Sequence, residues 1–360
     1  MNNIPYLLAL HSIDGLGPIR LRAVLEYFKD PKLAWEASAV EIRQIGIPEN
    51  TANLLSETRK KLNPLDYAAA IEKSGIKWLS VFDENFPKLL SQIYDPPTLF
   101  YYKGEINWDD PAIAIVGTRK ITGYGKAVTE QFTKVLADSG LTIVSGLARG
   151  VDTTAHKSAV LSGGRTIAVL GGGLNRIFPP ENEKLAEEII KGYGVVISEF
   201  PPDYPSLPGN FPSRNRIISG LSLATLVTEA AADSGSLITA RLAIEQGRDV
   251  FAVPGPITSD LSKGPIDLIK EGARIVADPK EILEELGMLR IQNSKFRAQN
   301  ETQLSEDEKK ILVCIQNESR HIDEIGRMLS FPSAKISGLL LKMEITGIVQ
   351  NLGGGLYSKL

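Results

Sequence analysis

The chemistry-bearing residues of this chain are arginines set among small residues. Arg214 and Arg216 stand in Phe211-Pro212-Ser213-Arg214-Asn215-Arg216 on a short helical segment, an apolar run from Ala224 to Val227 follows, and Ser234-Gly235-Ser236 opens another helix. Exposed N–H groups at a helix start, small residues that admit a close approach, and nearby guanidinium groups are the physical means of holding a phosphate. Similar sets recur upstream: Gly117-Thr118-Arg119, Ser145-Gly146-Leu147-Ala148-Arg149-Gly150 and Gly171-Gly172-Gly173 each follow an apolar run. Taken singly, each glycine is a tight turn and each arginine a solvated surface residue. One mononucleotide does not need so many phosphate sites in a row, whereas a single strand crossing a sheet edge does.

Other chemistries lack their anchors. The segment Gly117 to Gly125 does not read G-x-G-x-x-G, and Ser145-Gly146 is followed by no acidic residue placed for a ribose diol, which argues against a dinucleotide. Gly125-Lys126-Ala127 lacks the first glycine and the hydroxyl residue of a P-loop. His156, Asp152, Glu199 and Glu229 are the acid–base candidates, but no G-x-S-x-G elbow or H-E-x-x-H helix accompanies them. Asp152 is placed to N-cap a helix containing His156, and His156 reads as a hydrogen-bonded structural residue. No catalytic residue, cofactor or metal is therefore expected. Tyr124, Phe178, Phe200 and Phe211 lie beside the loops, where bases can stack, although Phe178 and Phe200, each next to a proline, are expected to cap the core.

The elements that must position these loops are legible as a change of pattern at Ala112. Seven short, nearly continuous apolar runs follow: Ala112–Val116, Thr142–Val144, Thr166–Leu170, Val195–Ile197, Ala224–Val227, Val250–Val253 and Arg274–Val276. Such runs suit buried parallel strands, and the segments between them are long enough for crossover helices. The fold class expected is α/β, a doubly wound, mostly parallel, extended Rossmann-like sheet, with ligands outside the carboxyl ends of the strands. Ahead of it, Leu7 to Phe28 reads as two helices around Gly15-Leu16-Gly17, a helix-hairpin-helix pattern whose turn amides can face a DNA phosphate, with a weaker echo at Ile45 to Ala52. Behind it, three helices and a Gly353-Gly354-Gly355 hairpin read as a winged helix. The expected domains are a helical domain at 1–63, the Rossmann-like domain with its lead-in at 64–291, a linker at 292–305 and the winged helix at 306–360.

At 360 residues with 43% hydrophobic and 23% charged residues, the chain is long enough for two or three domains with a real core. A net charge of −3 excludes a protein that coats nucleic acid as a bulk polycation, so binding must come from a local patch. Cys314, the one cysteine, allows no intrachain disulfide and reads as a buried thiol. With no secretory leader and no membrane-length apolar run, a cytoplasmic location is expected.

Several segments together resemble the DNA-processing protein A family (DprA, also called Smf). They are Gly117-Thr118-Arg119, Ser145 to Asp152 with Ala155-His156-Lys157, Ser198-Glu199-Phe200-Pro201, Phe211 to Ser222, Ser234 to Arg241, Glu245 to Arg248 and Val250 to Gly255. The resemblance implies a cytoplasmic protein that binds single-stranded DNA without turnover. It further implies a protein that helps displace single-strand-binding protein, loads the recombinase RecA during natural transformation, and acts as a homodimer. On this reading Gly117, Thr118, Arg119, Ser145, Gly146, Arg149, Gly150, Gly171, Gly172, Arg214, Asn215, Arg216, Ser234, Gly235 and Ser236 hold the DNA. Gly172, Asn175 and Ile266 depart from the threonine, aspartate and asparagine common in the family.

Two other readings compete. The crevice also resembles the lysine-decarboxylase-like (LOG) nucleotide hydrolases, in which case Glu229 with Arg216 would attack an N-glycosidic bond. An adaptor whose α/β core is only a scaffold would bind no oligonucleotide. In the winged helix, the recognition segment Ser333 to Thr346 mixes Lys335 and Lys342 with Glu344 and many apolar residues, which points to protein contact or weak DNA contact.

Overall fold

The seven apolar runs become seven parallel strands; six are largely buried, since a strand covered on both faces needs apolar residues at successive positions, and the short edge strand Arg274–Ile275 is exposed. The computed structural model describes residues 3–288, 304–316, 318–345 and 348–359. Its strands are β1 (Lys77–Ser80), β2 (Leu99–Gly104), β3 (Ala112–Val116), β4 (Thr142–Ser145), β5 (Thr166–Leu170), β6 (Gly194–Ser198), β7 (Ala224–Val227), β8 (Asp249–Ala252) and β9 (Arg274–Ile275). They form one sheet in the order β1-β2-β6-β5-β4-β3-β7-β8-β9. Strands β3 to β9 pair in parallel, β2 runs antiparallel to β6, and β1 runs antiparallel to β2. The winding moves outward from β3 through β4, β5 and β6, then returns to β7 on the other side of β3. The gap between β3 and β7 is therefore the point at which an open α/β sheet places its ligand.

Alternating residues of each strand face opposite cores. Phe100, Ile167, Val169, Val195 and Ile197 point into one, shared with Ile217, Ile218, Leu237 and Leu268 from the helices Asn210–Gly220, Ser236–Glu245 and Lys263–Lys270. Tyr101, Ala168, Leu170 and Val196 point into the other, and there they join Leu7, Leu8, Leu21, Trp35 and Ile42 of the N-terminal helices. Those helices begin where the sequence supplies caps: the Asp30 side chain accepts from the Lys32 N–H, Ser38 and Glu41 form a capping box, and Pro31 and Pro64 occupy first-turn positions. Met1–Ile282 forms one unit and Leu283–Leu360 a second.

In the second unit, the helices Glu306–Cys314, Ile322–Leu329 and Ser333–Ile345 pack with a three-stranded sheet. Its strands are β10 (Arg320–His321), β11 (Val349–Gly353) and β12 (Leu356–Lys359), in the order β10-β12-β11. Ile311, Ile325, Ile336, Leu340 and Met343 form its core, and Cys314 is half-buried. This is a winged helix. Lys335 pairs with Asp307 at 2.6 Å and Lys342 with Glu308 at 2.8 Å, so both recognition-helix lysines already face carboxylates of the first helix. Most of the expected linker at 292–305, and Thr346, lie outside the described residues. Among the described residues, no helix is long and apolar enough to cross a membrane.

Candidate functional site

A cleft of about 670 Å³ opens where the winding reverses. Three segments build most of it: the loop Gly117–Lys120 that leaves β3, the helix Asn210–Gly220 that leads into β7, and the turn Ala231–Ser236 that starts the helix Ser236–Glu245; Ala148, Asp152 and Phe178 also line it. Arg119 and Lys120 stand exposed on its rim. The Arg119 guanidinium carbon lies 5.3 Å from the centre of the Phe211 ring and that of Arg214 lies 5.9 Å away, both within cation–π range. Phe178 completes the group, its ring 5.9 Å from Phe211 at an interplanar angle of 38°.

Arg214 has a second task. It is only 4% exposed, and its Nη1 donates to the Gly146 carbonyl at 2.6 Å and to the Val169 carbonyl. Burial pulls its pKa down to about 10, opposed by the Asp152 carboxylate and assisted by the Arg119 cation, so it stays charged at neutral pH. The expectation that Asp152 caps its own helix needs correction. Gly150 occupies the cap position, and the Asp152 carboxylate instead accepts from the N–H groups of Gly146 at 3.1 Å and Ala148 at 3.4 Å. His156 is structural as expected: Leu147 donates to its Nε2, and its Nδ1 lies 2.7 Å from the Thr166 hydroxyl. Burial lowers its pKa to about 3.

On the far side of the cleft, Ser234, Gly235 and Ser236 lie at the start of a ten-residue helix, whose first N–H groups favour an anion. The Ser234 and Ser236 hydroxyls are 2.8 Å apart, and Asn215 donates to the Gly235 carbonyl at 3.3 Å, tying this turn to the arginine helix. Cations from one wall, hydroxyls and amides from the other, and two aromatic rings thus converge on one space. Among the described residues, no group of three or more His, Cys, Asp or Glu side chains could hold a metal ion.

Of the fifteen residues expected to hold DNA, the cleft brings together Gly117, Thr118, Arg119, Arg214, Asn215, Ser234, Gly235 and Ser236. The other seven also make contacts within the framework. Ser145 is fully buried and donates to the Ile115 carbonyl at 2.7 Å. Gly146 receives the Arg214 bond, and the Arg149 guanidinium pairs with Glu181. Gly150 adopts φ +78° where an added Cβ would strike the Thr118 carbonyl, so only glycine serves there. Gly171 packs under Phe211 and Gly172 under Ser206. The loops after β4 and β5 nevertheless reach the cleft edge: Ala148 and Phe178 line it, and Gly146 and Arg149 line a smaller adjoining hollow with Arg119, Phe211 and Arg214. Conversely, Phe178 does not cap the core. It is 42% exposed and lines the cleft, as does Lys120, which carried no motif of its own.

Arg216 is turned away. It is 6% exposed, with Nε 2.8 Å from Asp95 and Nη2 2.6 Å from Glu199. Burial opposes its charge, but these two carboxylates hold its pKa above the ordinary value. Its residue pair lines a separate cavity of about 420 Å³ with Phe200, Tyr204 and the turn Gly15-Leu16-Gly17. That turn faces Asp95 and Glu199, a setting that disfavours a phosphate, and Tyr204 donates to Asp14 beside it. Glu229 is likewise not brought to Arg216: its carboxylate accepts from the Thr122 N–H at 3.0 Å and the Thr122 hydroxyl at 2.6 Å. The carboxylate–guanidinium pair required for N-glycosidic attack is thus not assembled.

Comparison with known proteins covers both units. The DNA recombination-mediator protein A family matches residues 77–287, and the DprA winged helix domain matches residues 297–355. Protein Smf of Synechocystis is 34% identical, covering 98% of this chain and 98% of its own length. The DNA processing protein DprA of Bacillus subtilis is 43% identical over 61% of this chain and 74% of its own. The X-ray structure of DNA processing protein A from Streptococcus pneumoniae is similar at a TM-score of 0.68 and 38% identity, covering 79% of this chain and 99% of that one. The DNA processing protein A of Helicobacter pylori, solved for its single-stranded DNA binding mode, is similar at a TM-score of 0.53 and 32% identity, covering 59% and 95%. With a doubly wound sheet, a winged helix and full-length relatives all in agreement, this chain belongs to the DNA recombination-mediator protein A family.

Proposed function

We propose that the cleft between β3 and β7 binds single-stranded DNA and that the chain acts as a recombination mediator without catalytic turnover. The observation that carries this reading is the joining of Arg119, Lys120 and Arg214 with Phe178 and Phe211 around one open cleft. Cations follow the backbone of a strand, and rings offer stacking surfaces that an unpaired base can reach and a paired base cannot. The relative from Helicobacter pylori, described by its single-stranded DNA binding mode, supports the same assignment.

In the cell the chain acts in the cytoplasm as a homodimer, binding incoming DNA during natural transformation and handing it to RecA past single-strand-binding protein. Gly117, Thr118, Arg119, Asn215 and the Ser234–Ser236 turn contact the strand, with Arg214 both contacting it and fixing the cleft floor. The winged helix, its lysines engaged by Asp307 and Glu308, contributes protein contacts more than DNA affinity. The test is RecA ATPase activity on single-stranded DNA precoated with single-strand-binding protein. Added wild-type chain shortens the lag and Arg119→Ala does not; an unchanged lag with wild type contradicts the mediator role.

A further inference from the structure

Glu229 is the buried titratable group that the cleft does not use directly. It follows β7, is 3% exposed, and among the described residues joins no ion pair. An unpaired buried carboxylate is costly unless hydrogen bonds hold it. Its bonds all go to the neighbouring loop that carries Arg119 and Lys120. Its backbone carbonyl accepts from the Thr118 N–H at 2.7 Å, and its carboxylate accepts the N–H and hydroxyl of Thr122.

One residue therefore grips the loop on both sides of Arg119 and Lys120. The grip extends outward: the Lys120 N–H donates to the Thr118 hydroxyl at 3.1 Å, and the Thr122 hydroxyl accepts from Gly125 at 3.0 Å to cap the sixteen-residue helix Gly123–Asp138. The carboxylate sits against the first turn of that helix, where backbone N–H groups favour a negative charge. Glycine at 117 and 125 makes room for it, since a Cβ at 117 would meet the Glu229 carbonyl and one at 125 its carboxylate.

We propose that Glu229 is a positioning residue that clasps the 117–122 loop and so holds Arg119 and Lys120 at the cleft. Its effect on DNA rests on the single-strand reading above; its effect on the loop does not. Labelled oligonucleotide is titrated with wild type, Glu229→Ala, the double variant Arg119→Ala/Lys120→Ala, and the triple variant. Glu229→Ala weakens binding roughly tenfold in the wild-type background and less than about twofold where both cations are already gone, as expected for coupled residues. Glu229→Gln, which keeps a carbonyl for the Thr122 N–H, restores most of the affinity. Equal losses in both backgrounds overturn the proposal.

Trypsin supplies a readout that needs no DNA. Glu229→Ala hastens cutting after Arg119 and Lys120 relative to other sites, and unchanged cutting there contradicts the clasp. Faster cutting in a chain that binds no oligonucleotide upholds the clasp and sinks the single-strand reading instead. If Glu229→Ala does not fold, Thr122→Asp, at an exposed position, keeps a cap acceptor for the Gly125 N–H but cannot donate to the Glu229 carboxylate, and takes its place in both experiments.

Discussion

Replacing Arg119 by alanine separates binding from folding. The side chain is exposed, and among the described residues it makes no hydrogen bond or ion pair; its one described partner is the Phe211 ring. Its loss should change stability by no more than about 0.5 kcal/mol, the usual range for surface substitutions. If Arg119 neutralises one phosphate, the slope of log affinity against log salt falls by about 0.7, the single-strand value per contact. Between 50 and 200 mM salt, the affinity ratio of wild type to variant then shrinks by about 2.6-fold. Fluorescence anisotropy of a labelled oligonucleotide at four salt concentrations, with a urea melt of both proteins, measures all of this. A wild-type slope in the variant, or a melt displaced far beyond the surface range, refutes the assignment of Arg119 to the strand.

The two other arginines behave differently. Arg214→Ala leaves the carbonyls of Gly146 and Val169 and the Asp152 carboxylate without their cation, so a loss of roughly 3–5 kcal/mol in urea melts accompanies its loss of DNA affinity. Arg216→Met strands Glu199 and Asp95 and costs a similar ~3–5 kcal/mol, yet leaves the salt slope of DNA binding unchanged; a reduced slope would return Arg216 to the DNA site. The pH dependence follows from His156, whose folded pKa of about 3 lies below the ordinary histidine value of 6.5. The unfolded chain binds the proton first as pH falls, so this stabilisation is complete above about pH 6.5 and is lost between there and about pH 3, by up to about 1.4 kcal/mol per pH unit. His11, lowered to about 4, adds a loss of the same sign, and His156→Gln should flatten the acid side of the stability profile.

The strands were legible because a sheet buried on both faces leaves unbroken apolar runs. Ala112–Val116, Thr166–Leu170 and Ala224–Val227 appear with the expected bounds, and the others differ by a residue or two. The antiparallel strand β2, by contrast, begins in Leu99-Phe100-Tyr101 within a stretch rich in turn formers and aromatics that reads equally as a packed linker or an edge element. The site was half legible. Arginine in a loop and serine at a helix start announce an anion site, but the direction of a side chain depends on its partners in space. Arg214 and Arg216 lie two apart on one helix, and a turn of roughly 200° separates them, so one reaches the cleft and the other reaches Glu199 and Asp95. Nothing local distinguishes them, because Asp95 and Glu199 are remote in sequence. The proline beside Phe178 suggests a core cap, yet the ring is 42% exposed and lies 5.9 Å from Phe211, a partner remote in sequence.

The proposed function stands or falls on single-stranded DNA in the β3–β7 cleft. A salt-dependent titration of the wild-type chain with a single-stranded oligonucleotide, its duplex and a nucleoside monophosphate tests it most directly. The structure leads to tightest binding of the single strand, weaker binding of the duplex, and an affinity that falls steadily with salt. Equal affinity for single strand and duplex, or binding of the monophosphate alone with release of its free base, would contradict it.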